Sequence, residues 1–286
     1  LVGGGGSVAK IPPKGRCPFR LVFKSNIQRA AAILRGHLVG LVGNMQARAQ
    51  RKRYIDYDLN RSWRDEHIEN LRNNGQTFHF REDAEMADLL DFFDRLPGNG
   101  YEERICMDLH TTSSDNGNFI VVPDAASEHP VIQALKLPLI IDLEKHIKGT
   151  LLHYLQKKNI LGFAFEGGLM GSEISVRLHI AGIWETLICS GAVDKERLPE
   201  EIQMNTLLQT FAAELPHKLR VKYHYWITEG DGFRMNPGYV NFQEVHEGEE
   251  IARDHNGPVR APMDGMIFMP LYQRSGNDGF FIVHEE

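Results

Sequence analysis

Cysteine is scarce in this chain: Cys17, Cys106 and Cys189 are the only three in 286 residues. They are too few and too scattered for a disulfide framework or a cysteine-based zinc site, and a reducing, cytoplasmic setting is the expectation that follows. Long apolar runs are also missing. Nothing approaches the ~20 residues of a membrane span, and the start carries no charged segment followed by an apolar core, so no export signal is expected from it. Basic excess is absent as well. Lys and Arg total 32 against 38 Asp and Glu, a formal charge of -6, which gives no support to a nucleic-acid or anionic-membrane partner. A small anionic substrate would need a locally basic pocket. No internal repeat is found. Low complexity is confined to the opening, Leu1-Val2 followed by Gly3-Gly4-Gly5-Gly6-Ser7, a linker-like or turn-like run with no initiator Met.

What remains is ordinary globular material, 42% hydrophobic and 24% charged, long enough for one large domain or two. Ser25-Asn26-Ile27-Gln28 has the form of a capping box, and Ile27, Ala30, Ala31, Ile33 and Leu34 are spaced for one helix face that Gly36 ends. His37 to Gly43 is an apolar run of strand length that stops at Asn44. Met86, Leu89, Leu90, Phe93 and Leu96 predict a helix from Arg81 to Leu96, and Arg104 to Leu109 predicts a buried strand that delivers Asp108 and His110 at its carboxyl end. A helix from Asp142 to Lys158, a strand from Ile160 to Phe165 ending at Glu166, and a helix from Ile174 to Cys189 continue the alternation. That order predicts an α/β sheet flanked by helices, with ligands at the carboxyl ends of its strands. Asn44, His110 and Glu166 are the residues so placed. From Leu219 onward, aromatic and β-branched residues are interleaved with Gly230, Gly232, Gly238, Gly248, Gly257, Gly265 and Gly279, the texture of an all-β unit with a boundary near Glu214-Leu215-Pro216.

Several residues carry potential chemistry. The run from Arg51 to Arg61 is highly charged and aperiodic. Its guanidinium groups with Asn60 could clamp a carboxylate, or Asp56 and Asp58 could simply neutralise neighbouring arginines in a solvated loop. His110, ahead of the hydroxyl-rich Thr111-Thr112-Ser113-Ser114, suits a metal ligand, an acid/base or a core histidine, and Asp108 suits the partner that fixes its tautomer. Glu166 at the end of a buried strand suits a general base or a structural ion pair. The literal His-x-x-Glu of His246 to Glu249 falls among acidic turn residues of the β region, where the two side chains would not share a helix face, and is a poor metal site. Cys106 and Cys189 fall in apolar periodic segments and read as core. Cys17, before Pro18, has nothing to pair with.

In this order, Gly43-Asn44, the run Arg53-Tyr54-Ile55-Asp56-Tyr57-Asp58-Leu59-Asn60-Arg61, then Asp108-Leu109-His110-Thr111-Thr112-Ser113 and Phe165-Glu166-Gly167-Gly168 resemble the succinylglutamate desuccinylase and aspartoacylase family, zinc-dependent deacylases with a carboxypeptidase-like fold. The C-terminal part, with Gly230-Asp231-Gly232-Phe233-Arg234 and Asn256-Gly257-Pro258-Val259-Arg260-Ala261-Pro262, resembles the β domain that bacterial members carry. The resemblance implies a carboxypeptidase-like mixed sheet flanked by helices over residues 1–214, followed by a smaller all-β domain over 215–286. It implies hydrolysis of an N-acyl bond in a small carboxylate-bearing substrate such as an N-acyl amino acid. Zinc would be the cofactor and His110 its third ligand. Glu166 would be the general acid/base, Arg53 the group that stabilises the oxyanion, and Asn60 with Arg61 the holders of the substrate carboxylate. A homo-oligomer is compatible with this.

At one place the chain departs from the family. The other two zinc ligands of the family come from a His-x-x-Glu motif after an early strand, where Gly3 to Lys14 stand here; no His precedes His37 and no Glu precedes Glu66. A truncated or frame-shifted front, or a loss of the pair, would each give this pattern. The alternative expectation is a metal-free relative that binds a small carboxylate without hydrolysing it.

Overall fold

A computed structural model describes residues 33–73, 77–96, 100, 103–112, 118–198, 205–212, 215–272 and 276–286. The Gly-rich opening, Cys17 and most of the helix expected from Ser25 lie outside the described residues. In chain order the helices are α1 (Met45–Ala49), α2 (Asp65–Asn73), α3 (Arg81–Asp94), α4 (Pro130–Leu135), α5 (Leu143–His146), α6 (Leu151–Lys157), α7 (Glu173–Cys189) and α8 (Asn205–Ala212). The strands are β1 (Ile105–Thr112), β2 (Phe119–Val121), β3 (Leu139–Ile141), β4 (Leu161–Leu169), β5 (Lys218–Trp226), β6 (Arg234–Met235), β7 (Glu244–Val245), β8 (Glu250–Asp254), β9 (Gly257–Arg260), β10 (Gly265–Phe268) and β11 (Asp278–Glu285).

The chain divides into two units, one holding the described residues up to Cys106 with 147–162 and 190–197, the other holding 107–146, 163–189 and the described residues from Leu198 to Glu286. In the first unit, α3 presents Met86, Leu90 and Phe93 inward while α2 contributes Ile68 and Leu71. Trp63, Phe93 and Tyr154 form a three-ring cluster, with Trp63 at centroid distances of 6.0 and 5.0 Å from the other two. The run His37 to Gly43 is not the strand expected of it. Residues 38–43 form no ladder, Gly40 and Gly43 are exposed, and the apolar side chains between them are only half-buried; two glycines in so short a run weaken a strand and leave little to pack.

The helix expected from Asp142 to Lys158 is broken in two between α5 and α6. Gly149 takes a φ of 75°, and a β carbon there would overlap the carbonyl of Arg61. The chain must turn at this point so that the Asn60-Arg61 backbone can approach, and glycine alone tolerates both the conformation and the contact. Thr150 then caps α6 through its hydroxyl, which accepts from His153 N at 3.4 Å.

The second unit is built on an eight-stranded mixed sheet in the order β1-β4-β2-β3-β5-β11-β10-β7. Leu161 N donates to Arg104 O and Met170 N to Thr112 O, one bond near each end, so β1 and β4 run parallel. β2 is antiparallel to β4 and parallel to β3, which is parallel to β5. All side chains of the short β2 and β3 are buried, as expected of strands covered on both faces. A three-stranded antiparallel sheet, β6-β8-β9, adds a core of Met235, Ile251, Ala252 and Val259 with Phe280 and Ile282. The chain is thus mixed α/β with a separate antiparallel region toward its C-terminus. The change of texture at Leu215-Pro216 is not a break in the main sheet, because β5 pairs with β3 immediately after it, Lys218 opposite Leu139. Among the described residues no helix is long and apolar enough to cross a membrane.

Candidate active site

The charged run from Arg51 to Arg61 is an ordered turn in which Arg51, Lys52, Arg53 and Asp56 are exposed and the other residues half-buried. Asp58 is its local hub. One carboxylate oxygen accepts from Arg53 Nε at 2.9 Å and the other from Asn60 N at 2.9 Å, which starts the single 3-10 turn Leu59–Arg61. Pairing of Asp58 with its own arginine therefore occurs, yet the Arg53 side chain remains 43% exposed and open to a ligand. Asp56 pairs with no arginine side chain in this turn; its Oδ2 accepts from Arg81 N at 2.8 Å, at the start of α3. The Asn60 side-chain carbonyl accepts from Leu151 N at 2.9 Å, satisfying a helix-start amide of α6. Arg61 Nη1 donates to the Asn60 carbonyl at 2.9 Å.

What seats this turn is Glu82, a residue that sequence reasoning missed. Its fully buried carboxylate accepts from Ile55 N at 2.6 Å and Asn44 Nδ2 at 3.1 Å on one oxygen, and from Asp56 N at 3.0 Å and Tyr57 N at 3.4 Å on the other. Burial pushes the Glu82 carboxyl up, but these donors together outweigh it and hold the group below its ordinary value. Asn44, in the left-handed region at φ 48°, also caps α1 by accepting from Ala47 N. Next to Glu82, Asp83 accepts from Tyr57 Oη at 3.0 Å, and His67 Nε2 lies 3.1 Å from the same hydroxyl. Burial and the Asp83 carboxylate both push the Tyr57 phenol up. Two acids in the first turn of a helix read in sequence as partners of its dipole, which hides their second task.

In the second unit, His110 and Asp108 lie two residues apart on β1, hence on one face of the strand. The imidazole Nε2 stands 2.8 Å from Asp108 Oδ2. Burial pushes the Asp108 carboxyl up, and the His110 imidazole more than reverses this, leaving it lowered. β1 runs on to Thr112 and β4 to Leu169, so His110 and Glu166 are near, not at, the carboxyl ends of two adjacent parallel strands. Glu166 is buried, 4% exposed. His179, a second residue that sequence reasoning missed, ties α7 to this place: its Nε2 is 2.8 Å from the His110 carbonyl and its Nδ1 2.7 Å from the Ser175 carbonyl. The ring lies against Gly167, where a β carbon would overlap it. A His on a helix of mixed hydrophobicity carries no periodic signal that separates it from core.

The remaining sequence candidates separate cleanly. His246 is 78% exposed, and Glu249 accepts from His246 N at 3.0 Å and from Tyr239 Oη at 2.6 Å, a self-satisfied turn. Cys106 and Cys189 are half-buried rather than core; Cys189 Sγ lies 3.7 Å from Glu185 Oε1. Among the described residues no three His, Cys, Asp or Glu side chains come together to hold a metal ion. A catalytic zinc takes three protein ligands, and the described residues do not bring three together.

The mixed α/β sheet carries the His-Asp pair and the buried Glu166 on adjacent strands, and the Arg-Asp-Asn-Arg turn is folded elsewhere in the chain. Residues 22–176, more than half of the chain, match the profile described as the succinylglutamate desuccinylase/aspartoacylase catalytic domain. The chain belongs to that family. Among solved structures it is similar to a succinylglutamate desuccinylase/aspartoacylase from Rhodobacter sphaeroides, at 18% identity over 90% of this chain and 77% of the other, with a TM-score of 0.59. It is similar to the product-bound ectoine utilization protein EutE (DoeB) from Ruegeria pomeroyi, at 18% identity over 89% and 77% with a TM-score of 0.57. Murine aminoacylase 3 resembles it at 13% identity over 90% and 87%, with a TM-score of 0.57. No curated protein matches.

Proposed function

We propose that this chain hydrolyses the N-acyl bond of a small carboxylate-bearing substrate such as an N-acyl amino acid, in a reducing, cytoplasmic setting. The observation that carries this reading is the Arg53 to Arg61 turn, folded within the family-matched segment so that one arginine is directed by Asp58 and half-exposed. Asn60 and Arg61 are assigned the substrate carboxylate, for which a guanidinium beside an amide donor is well suited. Arg53 is assigned the scissile carbonyl, whose oxygen gains charge as the tetrahedral intermediate forms. Glu166 takes a proton from the attacking water and returns one to the nitrogen of the leaving amine, so the acid and the amine depart with the elements of water shared between them. Zinc is the cofactor expected for the family, and His110 would be one of its ligands.

Purified chain incubated with N-acetyl- and N-succinyl-amino acids should release free amine, with zinc per chain measured on the same preparation. Release should fall sharply in Arg53→Ala and in Glu166→Gln. If no substrate of either series is cleaved but several bind with loss of affinity in Arg61→Ala, the metal-free carboxylate-binding alternative takes its place.

A further inference from the structure

Glu82 is far more constrained than a helix-start acid needs to be. A carboxylate in the first turn of an exposed helix gains little from the dipole and stays hydrated. This one is fully buried and spends both oxygens on four donors, three of them the successive backbone amides of Ile55, Asp56 and Tyr57. The fourth donor, Asn44 Nδ2, also approaches the carbonyl of Arg53 at 3.4 Å. Asp56 returns the contact by accepting from Arg81 N at the head of α3. The main-chain amides on the C-terminal side of Arg53 are therefore stitched to α3 by Glu82, and the Asp56 and Tyr57 side chains each add one bond to the same helix. A buried carboxylate stripped of its donors is costly, and its donors stripped of it are equally so, which makes the arrangement all-or-none.

We propose that Glu82 is a positioning residue: by fixing the backbone at Ile55, Asp56 and Tyr57 it sets the direction in which the Arg53 guanidinium points, and so acts on the reaction through Arg53 without touching substrate. This rests on the deacylase reading for its kinetic consequence but not for its structural one. The Asn60-Arg61 turn is held separately, by Asp58 and by the Leu151 amide, and Trp63 N donates to the Gly149 carbonyl just beyond it. Loss of the Glu82 carboxylate thus disturbs Arg53 and leaves the carboxylate-holding pair in place.

The test compares wild type, Glu82→Gln and Glu85→Gln. Glu85 is on the same helix and similarly buried, but it accepts from Gln46 N and not from the motif turn. With the N-acyl amino acid that wild type cleaves fastest, Glu82→Gln should lower kcat by about 100-fold, the scale of a mispositioned reacting group, with KM within about threefold, while Glu85→Gln stays within about twofold of wild type in both. Equal kcat in wild type and Glu82→Gln, or a fall in kcat and rise in KM that track the loss of folded protein in both variants, overturns the proposal. NMR of the Arg53 Nε–H supplies the second readout. In wild type that proton should be slow to exchange, held on Asp58, and in Glu82→Gln it should exchange as a free guanidinium does. If wild type cleaves nothing, the deacylase reading falls and this signal alone decides Glu82: its loss in Glu82→Gln supports the positioning role, and its persistence overturns it.

Discussion

The imidazole of His179 occupies the space that a side chain on Gly167 would need, and the same ring reaches the His110 carbonyl at 2.8 Å. One histidine on α7 thus sets how closely the helix approaches β4 beside Glu166 and pins the main chain of β1 at His110. The glycine after Glu166 is a consequence of that approach rather than of a turn, since it lies within β4.

Gly167→Ala should therefore be destabilising by about 1–3 kcal/mol, the range for overpacking a filled interior. Urea denaturation checks it. Adding His179→Ala to Gly167→Ala should recover part of the loss by removing the overlapping ring. A double variant no more stable than Gly167→Ala would show that the ring is not the obstacle.

Under the proposed function Asn60 serves two ends that substitutions can separate. Its carbonyl oxygen caps the first amide of α6, and its amide nitrogen is assigned to the substrate carboxylate. Asn60→Ala should cost about 1 kcal/mol of stability, as loss of a capping acceptor does, and should raise KM. Asn60→Asp keeps an acceptor for Leu151 N and places a negative charge before the ligand carboxylate. Its melting temperature should stay near wild type while KM rises by more than in Asn60→Ala.

Asp142 offers a pH-dependent check on the second unit. It is buried and lies in the left-handed region at φ 67°, and its Oδ2 takes ion pairs from Lys145, at 2.6 Å, and from Arg220. Burial pushes its carboxyl up, and these two cations together hold it below the ordinary value. A lowered carboxyl contributes stability that is present above its unfolded pKa, near ~4, and is lost as pH falls through the folded value. Asp142→Asn, which tolerates the same backbone, should cost about 1–3 kcal/mol at neutral pH by leaving a paired cation unsatisfied. That gap should narrow steadily below about pH 4. A gap independent of pH would mean that the charge of Asp142 is not what stabilises the unit.

Long periodic elements were legible in the sequence. The apolar spacing of 81–96 and 174–189 became α3 and α7, and the runs around Arg104 and Ile160 became β1 and β4, each extending beyond its expected end. The short β2 and β3, three residues apiece, were not legible, because three buried residues hold no period. The break between α5 and α6 was hidden for a different reason: Gly149 yields to the Arg61 carbonyl, a contact that local pattern does not encode. Of the site, the Arg53 to Arg61 run and the positions of His110 and Glu166 were readable as motif. Glu82 and His179 were not, since the first resembles a helix-dipole acid and the second an ordinary helical histidine. Both work through main-chain atoms of other segments, and a side chain that serves distant backbone leaves no spacing to find.

Under the proposed function Glu166 is the proton carrier of a deacylase. Steady-state hydrolysis of N-acetyl- and N-succinyl-amino acids by wild type and Glu166→Gln tests it most directly, since the variant keeps size and hydrogen bonding but cannot accept the proton. Turnover by wild type, with kcat strongly reduced and KM nearly unchanged in Glu166→Gln, is the predicted result. Undiminished turnover in Glu166→Gln, or none in wild type across both series, would contradict it.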